Sequence, residues 1–273
     1  LVSRSIQPED STESTKFVPI PADITTGEGR AKVVAVVERL CNEASQRKQL
    51  RFVVHSAGTI EPIKSIQDIT PEDLRYAMSV NLEGPFFLST ALHNYMVPPT
   101  LSDSTSATAT PGRILHISSG AAHGAPPVGW SIYGITKAAF YQSFKVLDRE
   151  LSSLGDGGNV RVGSFKPGVV DTSMQGTIRN SNADAMPVVG NFQKMKDGMK
   201  SMPDQDGVSS KARPPPNGAL DTPENVAFFA EWLLLGTTDD EFANRDDPNE
   251  HDIRNVALYP KWIPEENLPT PTK

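Results

Sequence analysis

Short apolar runs alternate with longer amphipathic stretches along this chain. Three of the runs are typical of buried strands that end in small or polar residues, namely RFVVHSAG (51–58), RILHISSG (113–120) and VRVGSFKPG (160–168). The helix candidates cover residues 28–46, residues 71–96 after the capping sequence TPED, and residues 131–154. This alternation predicts a single three-layer α/β domain, with a doubly wound parallel sheet and helices on both faces.

Small and polar residues collect at the carboxyl ends of these predicted strands. Gly58, Ser118, Ser119 and Pro167 each follow the apolar part of a strand. In an open parallel sheet the ligand crevice lies outside the carboxyl ends of the strands. We therefore expect these four residues to lie beside one ligand site.

Three stretches interrupt the strand and helix pattern. Residues 98–112 are rich in Ser, Thr and Pro, which predicts a surface insertion. Residues 173–220 contain many prolines and glycines with weak periodicity, and we interpret them as a mobile flap over the substrate. Residues 237–273, first acidic and then proline-rich, form a predicted C-terminal extension.

Charge and cysteine content narrow the class of protein. The formal charge of -7 over 273 residues argues against nucleic acid or an anionic membrane as a partner, since either would need a basic face. The one cysteine, Cys41, excludes an intrachain disulfide and a multi-cysteine metal site, and it favours a reducing compartment, the cytosol. The sequence shows no apolar run of membrane-spanning length and no leader peptide.

The run WSIYGITKAAF (130–140) places Tyr133 four residues before Lys137. Residues at that spacing share one helix face, so an ammonium there could lower the pKa of the phenol and prepare it for proton transfer. The alternative interpretation is a packing tyrosine next to a solvated lysine.

Five motifs in register decide between these interpretations. HSAG (55–58), VNLEGPFF (80–87), ISSG (117–120), YGITK (133–137) and KPGVVDT (166–172) follow one another in the order typical of the short-chain dehydrogenase/reductase family, which this chain resembles. The resemblance implies a Rossmann-type fold and hydride transfer between a nicotinamide and a carbonyl carbon.

The resemblance also implies a role for each residue of the catalytic set. Tyr133 would be the general acid, Lys137 would lower its pKa and hold the nicotinamide ribose, and Ser119 would orient the carbonyl oxygen. Asn81 would anchor a water molecule in the proton relay. A strand-end cap for Ser119 and a hydrogen bond inside the helix for Asn81 are the structural alternatives.

Finer features are similar to sepiapterin reductase-like and fungal benzil reductase-like members, which reduce ketones or 1,2-dicarbonyls. The segments GW (129–130) and PGVVDTSMQ (167–175) carry this likeness. The loop from Ser119 to Tyr133 is one residue longer than expected, which keeps Ser118 as an alternative to Ser119. Four residues could line a pocket for a flat or aromatic small-molecule carbonyl substrate, with core packing as the alternative for each: Pro126, Trp130, Val169 and Met174.

The family's glycine-rich phosphate turn, TGxxxGxG, is missing from the sequence. LVSRS (1–5) resembles the end of the family's second strand and ADIT (22–25) the end of its third. We therefore expect an N-terminally incomplete fold that lacks the first strand and the turn.

Other parts of the cofactor site can still be assigned from the resemblance. Arg4 stands where a basic residue would suit a 2'-phosphate, which favours NADP(H) over NAD. The alternative is a solvated arginine. The resemblance also implies that Asp23 contacts the adenine and that Thr172 contacts the nicotinamide carboxamide. The other cofactor contacts that it implies are Ala57, Gly58, Tyr133, Lys137, Pro167, Gly168 and Val170.

The resulting hypothesis is an NADP(H)-dependent carbonyl reductase. The rival is a catalytically inactive scaffold or regulator that keeps the reductase core but binds no dinucleotide. No metal site is expected, because His116 and His123 lack a ligand pattern, and His55, where the family has Asn, is interpreted as structural. The family's assemblies suggest a homodimer or a homotetramer.

Overall fold

The computed structural model describes residues 2–3, 18–42, 48–97, 110–154, 160–200, 220–244 and 250–263. Three of the predicted features therefore lie outside the described residues, namely Arg4, most of the insertion (98–109) and the second part of the flap (201–219).

Strands and helices alternate through most of the described chain. The strands are β1 (Val2–Ser3), β2 (Ile20–Pro21), β3 (Phe52–His55), β4 (Gly112–Ile117), β5 (Val160–Lys166) and β6 (His251–Asp252). The helices are α1 (Gly27–Asn42), α2 (Pro71–Met78), α3 (Gly84–Met96), α4 (Ser131–Leu151), α5 (Ser173–Arg179), α6 (Val189–Lys200), α7 (Pro223–Leu235), α8 (Asp239–Ala243) and α9 (Tyr259–Trp262).

All the strand pairs are parallel, which confirms the predicted sheet type. One sheet has the order β3-β4-β5-β6, and β1 pairs with β2 in a second, two-stranded sheet. Register places His55 beside His116 and His116 beside Ser164, so three polar residues line up across the four-stranded sheet. The expectation that the fold is incomplete at its N-terminus stays a prediction.

The four-stranded sheet is buried on both faces because its strands alternate between two apolar cores. Ile114 and Val162 pack with Phe144 of α4 on one face. Leu115 and Phe165 pack on the other face with the helices of the C-terminal part, α7 to α9. This arrangement explains why β4 is buried at almost every position rather than at alternating ones.

The helix predicted over residues 71–96 is continuous but changes its winding in the middle. Thr70 caps α2 in a capping box with Asp73, as the TPED sequence predicts. Residues Ser79–Glu83 then form one π-helical turn, and α3 continues from Gly84. Asn81 lies inside this wide turn, a kind of irregularity that is frequent at functional sites.

The three irregular stretches hold more regular structure than the sequence indicates. Gly112, assigned to the insertion, is the first residue of β4. Residues 173–200 of the flap contain α5 and α6. The C-terminal extension supplies α8 and also β6, which pairs with β5 and is therefore part of the sheet. Short elements of this kind are formed by tertiary contacts, so periodicity does not reveal them.

A buried arginine joins the sheet to the C-terminal helices. Arg113 of β4 donates hydrogen bonds to the carbonyl oxygens of Leu233, Leu234 and Thr237, and its guanidinium lies 2.9 Å from an Asp239 carboxylate oxygen. The same group stacks 4.9 Å from the centre of the Phe242 ring. A buried cation with this many partners is fully compensated and fixes α7 and α8 against β4.

Within the described ranges, no helix is both long enough and apolar enough to cross a lipid bilayer.

Candidate active site

A cleft of about 910 Å³ opens at the carboxyl ends of β3, β4 and β5. Gly58, Ser118, Ser119 and Pro167, the residues expected at the strand ends, all line it. The parallel topology brings them together because it places every carboxyl end at one edge of the sheet.

Tyr133 and Ser119 meet on the wall of this cleft. Tyr133 lies in the first turn of α4, and its buried side chain is close enough to the Ser119 side chain for Ser119 to lower its pKa. Ser119 follows β4, and its hydroxyl accepts a hydrogen bond of 3.1 Å from the backbone N–H of Ala121. The neighbouring Ser118 hydroxyl is buried and has no hydrogen-bond partner among the described residues. Ser119, rather than Ser118, is therefore the serine in contact with the tyrosine.

Lys137 lies one helical turn beyond Tyr133, and its side chain is buried. Its Nζ donates a hydrogen bond of 3.1 Å to the carbonyl oxygen of Ile117 and lies 5.9 Å from the centre of the Tyr133 ring. Burial lowers the pKa of Lys137 from 10.5 to about 8, while the negative charge of Glu250 raises it. The ammonium is therefore near its titration range at neutral to mildly alkaline pH.

The pKa of Tyr133 departs from the sequence prediction. The i,i+4 spacing predicts a pKa lowered by Lys137, but burial raises the pKa of the phenol, and the hydrogen bond from Ser119 offsets this only in part. The difference arises because desolvation penalises the phenolate. A raised pKa keeps Tyr133 protonated at neutral pH, which is the form that a general acid requires.

Asn81 is fully engaged by the protein. Its Oδ1 accepts from the backbone N–H of Thr59 at 2.8 Å, and its Nδ2 donates to the carbonyl oxygen of Thr59 and to Thr136 Oγ1. These bonds tie the loop after β3 to α4, one residue from Lys137. The water-anchoring role of Asn81 stays a prediction.

The residues expected around the cofactor divide into two groups. Gly58, Pro167, Gly168, Val170 and Thr172 line the cleft with Tyr133 and Lys137. Ala57 and Asp23 are not among the lining residues.

The carboxylate of Asp23 forms hydrogen bonds within its own turn. Its Oδ1 accepts hydrogen bonds from the backbone N–H and the hydroxyl of Thr25, in the turn that leads into α1. The backbone of Asp23 also packs tightly on Gly29, where an added Cβ would lie 1.9 Å from its carbonyl oxygen. The structure therefore gives Asp23 a turn-forming role at this place.

Apolar side chains form the substrate end of the cleft. The Trp130 ring packs edge-on against Tyr133, with 5.7 Å between ring centres, and lies tilted against Phe192 at 5.4 Å. Met174 belongs to the same cluster. Pro126 and Val169 also line the cleft. Trp130 and Met174 are thus both packed in the core and exposed to the cleft, so the two interpretations of these residues are compatible.

Sequence reasoning missed Ile178 and Phe192, which lie on α5 and α6 and line the cleft. The flap is rich in proline and glycine, so its composition gives no sign of helices, although Val189 and Phe192 have the spacing of one helix face.

The histidines have structural partners. His55 Nε2 lies 2.8 Å from Ser89 Oγ, and the His116 ring stacks on Phe140 at 4.2 Å between ring centres. His123 Nε2 lies 2.7 Å from the Glu250 carboxylate. Among the residues that the structure describes, no cluster of His, Cys, Asp or Glu could hold a metal ion.

Comparison with known proteins matches residues 4–183 to the family model of the short chain dehydrogenases. Over 166 residues the chain is 32% identical to a benzil reductase ((S)-benzoin forming) of Saccharomyces cerevisiae, an alignment that covers 61% of this chain and 57% of the relative. Over 172 residues it is 30% identical to a sepiapterin reductase of Bos taurus, with 62% and 58% covered. The chain thus spans less than two thirds of the length of these relatives.

A solved structure supports the same fold. The angucycline C-6 ketoreductase LanV with bound NADP matches with a TM-score of 0.57 at 21% identity, covering 86% of this chain and 73% of that one.

Proposed function

The chain belongs to the short-chain dehydrogenase family, and we propose that it reduces a ketone or a 1,2-dicarbonyl compound with NADP(H) as the hydride donor. The observation that carries this proposal is the contact of the Tyr133 and Ser119 side chains on the wall of the cleft, with Lys137 behind them. The two relatives named above support carbonyl reduction as the reaction class.

The cleft has features that fit a dinucleotide. A Cβ added at Gly58 would lie 3.4 Å from Asn81 Oδ1 and 3.7 Å from Lys137 Nζ, so glycine leaves open the space beside the lysine. Gly168 has a φ of 72°, which favours glycine in the segment that carries Val170 and Thr172. Gly58, Lys137 and the segment 167–172 would hold the nicotinamide end of the cofactor.

When bound, the dinucleotide would supply the hydride, and the residues of the chain would stabilise the charge that develops on the substrate oxygen. Ser119 orients that oxygen by a hydrogen bond, and Tyr133, protonated because its pKa is raised, donates the proton. The phenolate that results is stabilised by the Lys137 ammonium. The carbonyl oxygen must therefore bind at the point where the Ser119 and Tyr133 hydroxyls meet.

The substrate end of the cleft favours an uncharged compound with a flat apolar face. Trp130, Met174, Ile178 and Phe192 bring indole, thioether, aliphatic and phenyl groups to one wall. Aromatic and apolar groups bind well against such a wall, and a charged group would lose its hydration there.

One feature of the sequence supports NADP(H) over NAD. The guanidinium of Arg4 suits a 2'-phosphate.

The test is NADPH oxidation at 340 nm with benzil as the substrate, in the wild type and in the Tyr133→Phe variant. We expect turnover in the wild type and a loss of about 10²- to 10⁴-fold in kcat in the variant, with NADPH affinity unchanged. Tyr141→Phe, which removes a hydroxyl two turns further along α4, is the matched control. Equal kcat in Tyr133→Phe and wild type would refute the role of the tyrosine. A folded protein that binds neither NADPH nor NADH would support the inactive scaffold instead.

We also infer a cytosolic protein that forms a homodimer or a homotetramer. Cys41 is the one cysteine of the sequence and its side chain is buried, which fits a reducing compartment. Phe87 of α3 and Ile135 of α4 are apolar side chains about half exposed, which favours contact with a second copy. Light scattering during size-exclusion chromatography measures the assembly, and a monomer at micromolar concentration would contradict this inference.

A further inference from the structure

A carboxylate outside all of the family motifs is buried against the loop that follows Ser119. Glu250 precedes β6, and none of its side chain is exposed to solvent. A buried carboxylate is costly unless hydrogen bonds and an opposite charge compensate it. The partners of Glu250 therefore indicate what it is for.

Both carboxylate oxygens of Glu250 are hydrogen-bonded. One lies 2.7 Å from His123 Nε2, and the other accepts a 2.6 Å hydrogen bond from the Ser164 hydroxyl of β5. His123 ends the short turn that begins after Ser119, since its backbone N–H donates to the carbonyl oxygen of Gly120. Glu250 is thus connected through one side chain to the loop that carries the catalytic serine.

The titratable groups connected to Glu250 are His123 on the serine loop, which it contacts, and Lys137 on α4, whose pKa it raises. The Ser164 hydroxyl that binds Glu250 also lies 3.4 Å from the carbonyl oxygen of His116 on β4. Burial, together with the charges of His55 and Lys137, holds the pKa of His116 well below 6.5, so His116 is neutral. The negative charge of Glu250 raises the pKa of Lys137, opposing the effect of burial. Lys137 is therefore a cation whose charged form Glu250 stabilises.

We propose that Glu250 is a positioning residue of the active site, whose buried carboxylate fixes the Ser119 loop through His123 and balances the charge of the Lys137 ammonium. This inference rests on the proposed function, because it assigns the ammonium its task of stabilising the Tyr133 phenolate. The C-terminal part of the chain, where the family motifs are absent, thereby contributes to the proton-transfer chemistry.

The first test measures Lys137 without any turnover. Protein with 13Cε-labelled lysine is titrated by NMR, and the Lys137 signal is identified by its absence in Lys137→Met. We expect a midpoint near 8 in the wild type and a lower midpoint in Glu250→Gln, which keeps the side-chain shape but removes the charge. Glu224→Gln, an exposed carboxylate on α7, should leave the midpoint unchanged. An unchanged midpoint in Glu250→Gln would overturn the charge-balancing role, whether or not the protein reduces benzil.

The second test uses the kinetics of benzil reduction. In Glu250→Gln we expect kcat to fall by about tenfold at pH 8 and by less at pH 6.5, where Lys137 is protonated in both proteins, with KM for NADPH little changed. A loss of stability alone would lower the amount of active enzyme equally at both pH values. An equal loss at both pH values would therefore refute the charge-balancing role.

His123→Phe separates the two roles, because it keeps a ring against Tyr141 but removes the donor to Glu250. We expect a lower kcat with the Lys137 midpoint still near that of the wild type. A wild-type kcat in His123→Phe would overturn the loop-fixing role. If the wild type itself failed to reduce any carbonyl compound, the proposed function would fail, while the NMR titration would still decide the charge-balancing role.

Discussion

The proposed catalytic residues and the residues predicted to bind adenosine differ in how they are held. Ser119, Tyr133 and Lys137 line the cleft at the end of β4 and in the first two turns of α4, and each is fixed by contacts with the protein. Of the residues predicted for the adenosine half of the cofactor, Asp23 does not line the cleft and uses its carboxylate in its own turn, and Arg4 lies outside the described residues. Motif residues on regular, buried elements are therefore placed by the fold itself, whereas polar residues in turns are first used by local hydrogen bonds.

The largest expected effect tests the proposed catalytic residues. Lys137→Met removes the ammonium but keeps most of the apolar stem, and we expect kcat for benzil reduction to fall by about 10²- to 10⁴-fold, because the Tyr133 phenolate loses its counter-charge. Lys145→Met, two turns further along α4, is the control and should keep most of the activity. Similar kcat values for the two variants in a steady-state NADPH assay would show that Lys137 contributes no more to catalysis than Lys145.

The next effect concerns the pH dependence of stability and tests His55, the last residue of β3. Burial lowers the pKa of His55 from 6.5 to about 4, so the unfolded chain binds a proton that the folded chain does not between these pH values. Stability therefore falls as pH decreases from about 7 to 4, and this residue contributes about 3 kcal/mol to the loss. Urea unfolding of the wild type and of His55→Asn at pH 7, 5.5 and 4.5 measures this. Parallel losses in the two proteins would show that His55 is not the source.

A smaller effect tests whether the turn at Asp23 is structural. An added Cβ at Gly29 would lie 1.9 Å from the carbonyl oxygen of Asp23, whereas at Gly27 it would meet nothing within 4 Å. We expect Gly29→Ala to lower the free energy of unfolding by about 2 kcal/mol, because the turn must shift. Gly27→Ala is the matched control on the same helix and should show almost no loss. Equal melting temperatures for the two variants would contradict the close packing of this turn.

The smallest effect tests the cofactor preference. Arg4→Ala should raise the Kd for NADPH by about tenfold and leave the Kd for NADH unchanged, because it removes a charge-assisted hydrogen bond to the 2'-phosphate. Isothermal titration calorimetry with both dinucleotides measures this, with Arg39→Ala as a control. If Arg4→Ala weakened both cofactors equally, Arg4 would have no part in selecting NADP(H).

The sequence predicted the parallel sheet, and it predicted that Ser119 and Tyr133 lie together at the cleft, for a physical reason. Strands such as β4 and helices such as α4 carry strong apolar periodicity, so their ends, and hence Ser119 and Tyr133, can be located from the sequence alone. The sign of the Tyr133 pKa shift could not be predicted, because it depends on how deeply the phenol is buried. Phe192 and Glu250 were missed because α6 and β6 form only through contacts with distant parts of the chain.

Arg113 has a consequence for the synthesis of the protein. Its partner Asp239 lies 126 residues later in the chain. A ribosome that adds about 5–20 residues per second needs roughly 6 to 25 s to make that interval. Throughout this time the hydrogen-bond partners of the guanidinium have not been synthesised. The face of β4 that packs on α7 to α9 therefore cannot be buried without a large desolvation cost. The nascent chain therefore depends on its last quarter to complete the sheet, and a stalled or prematurely terminated chain would be left as a substrate for chaperones and proteases.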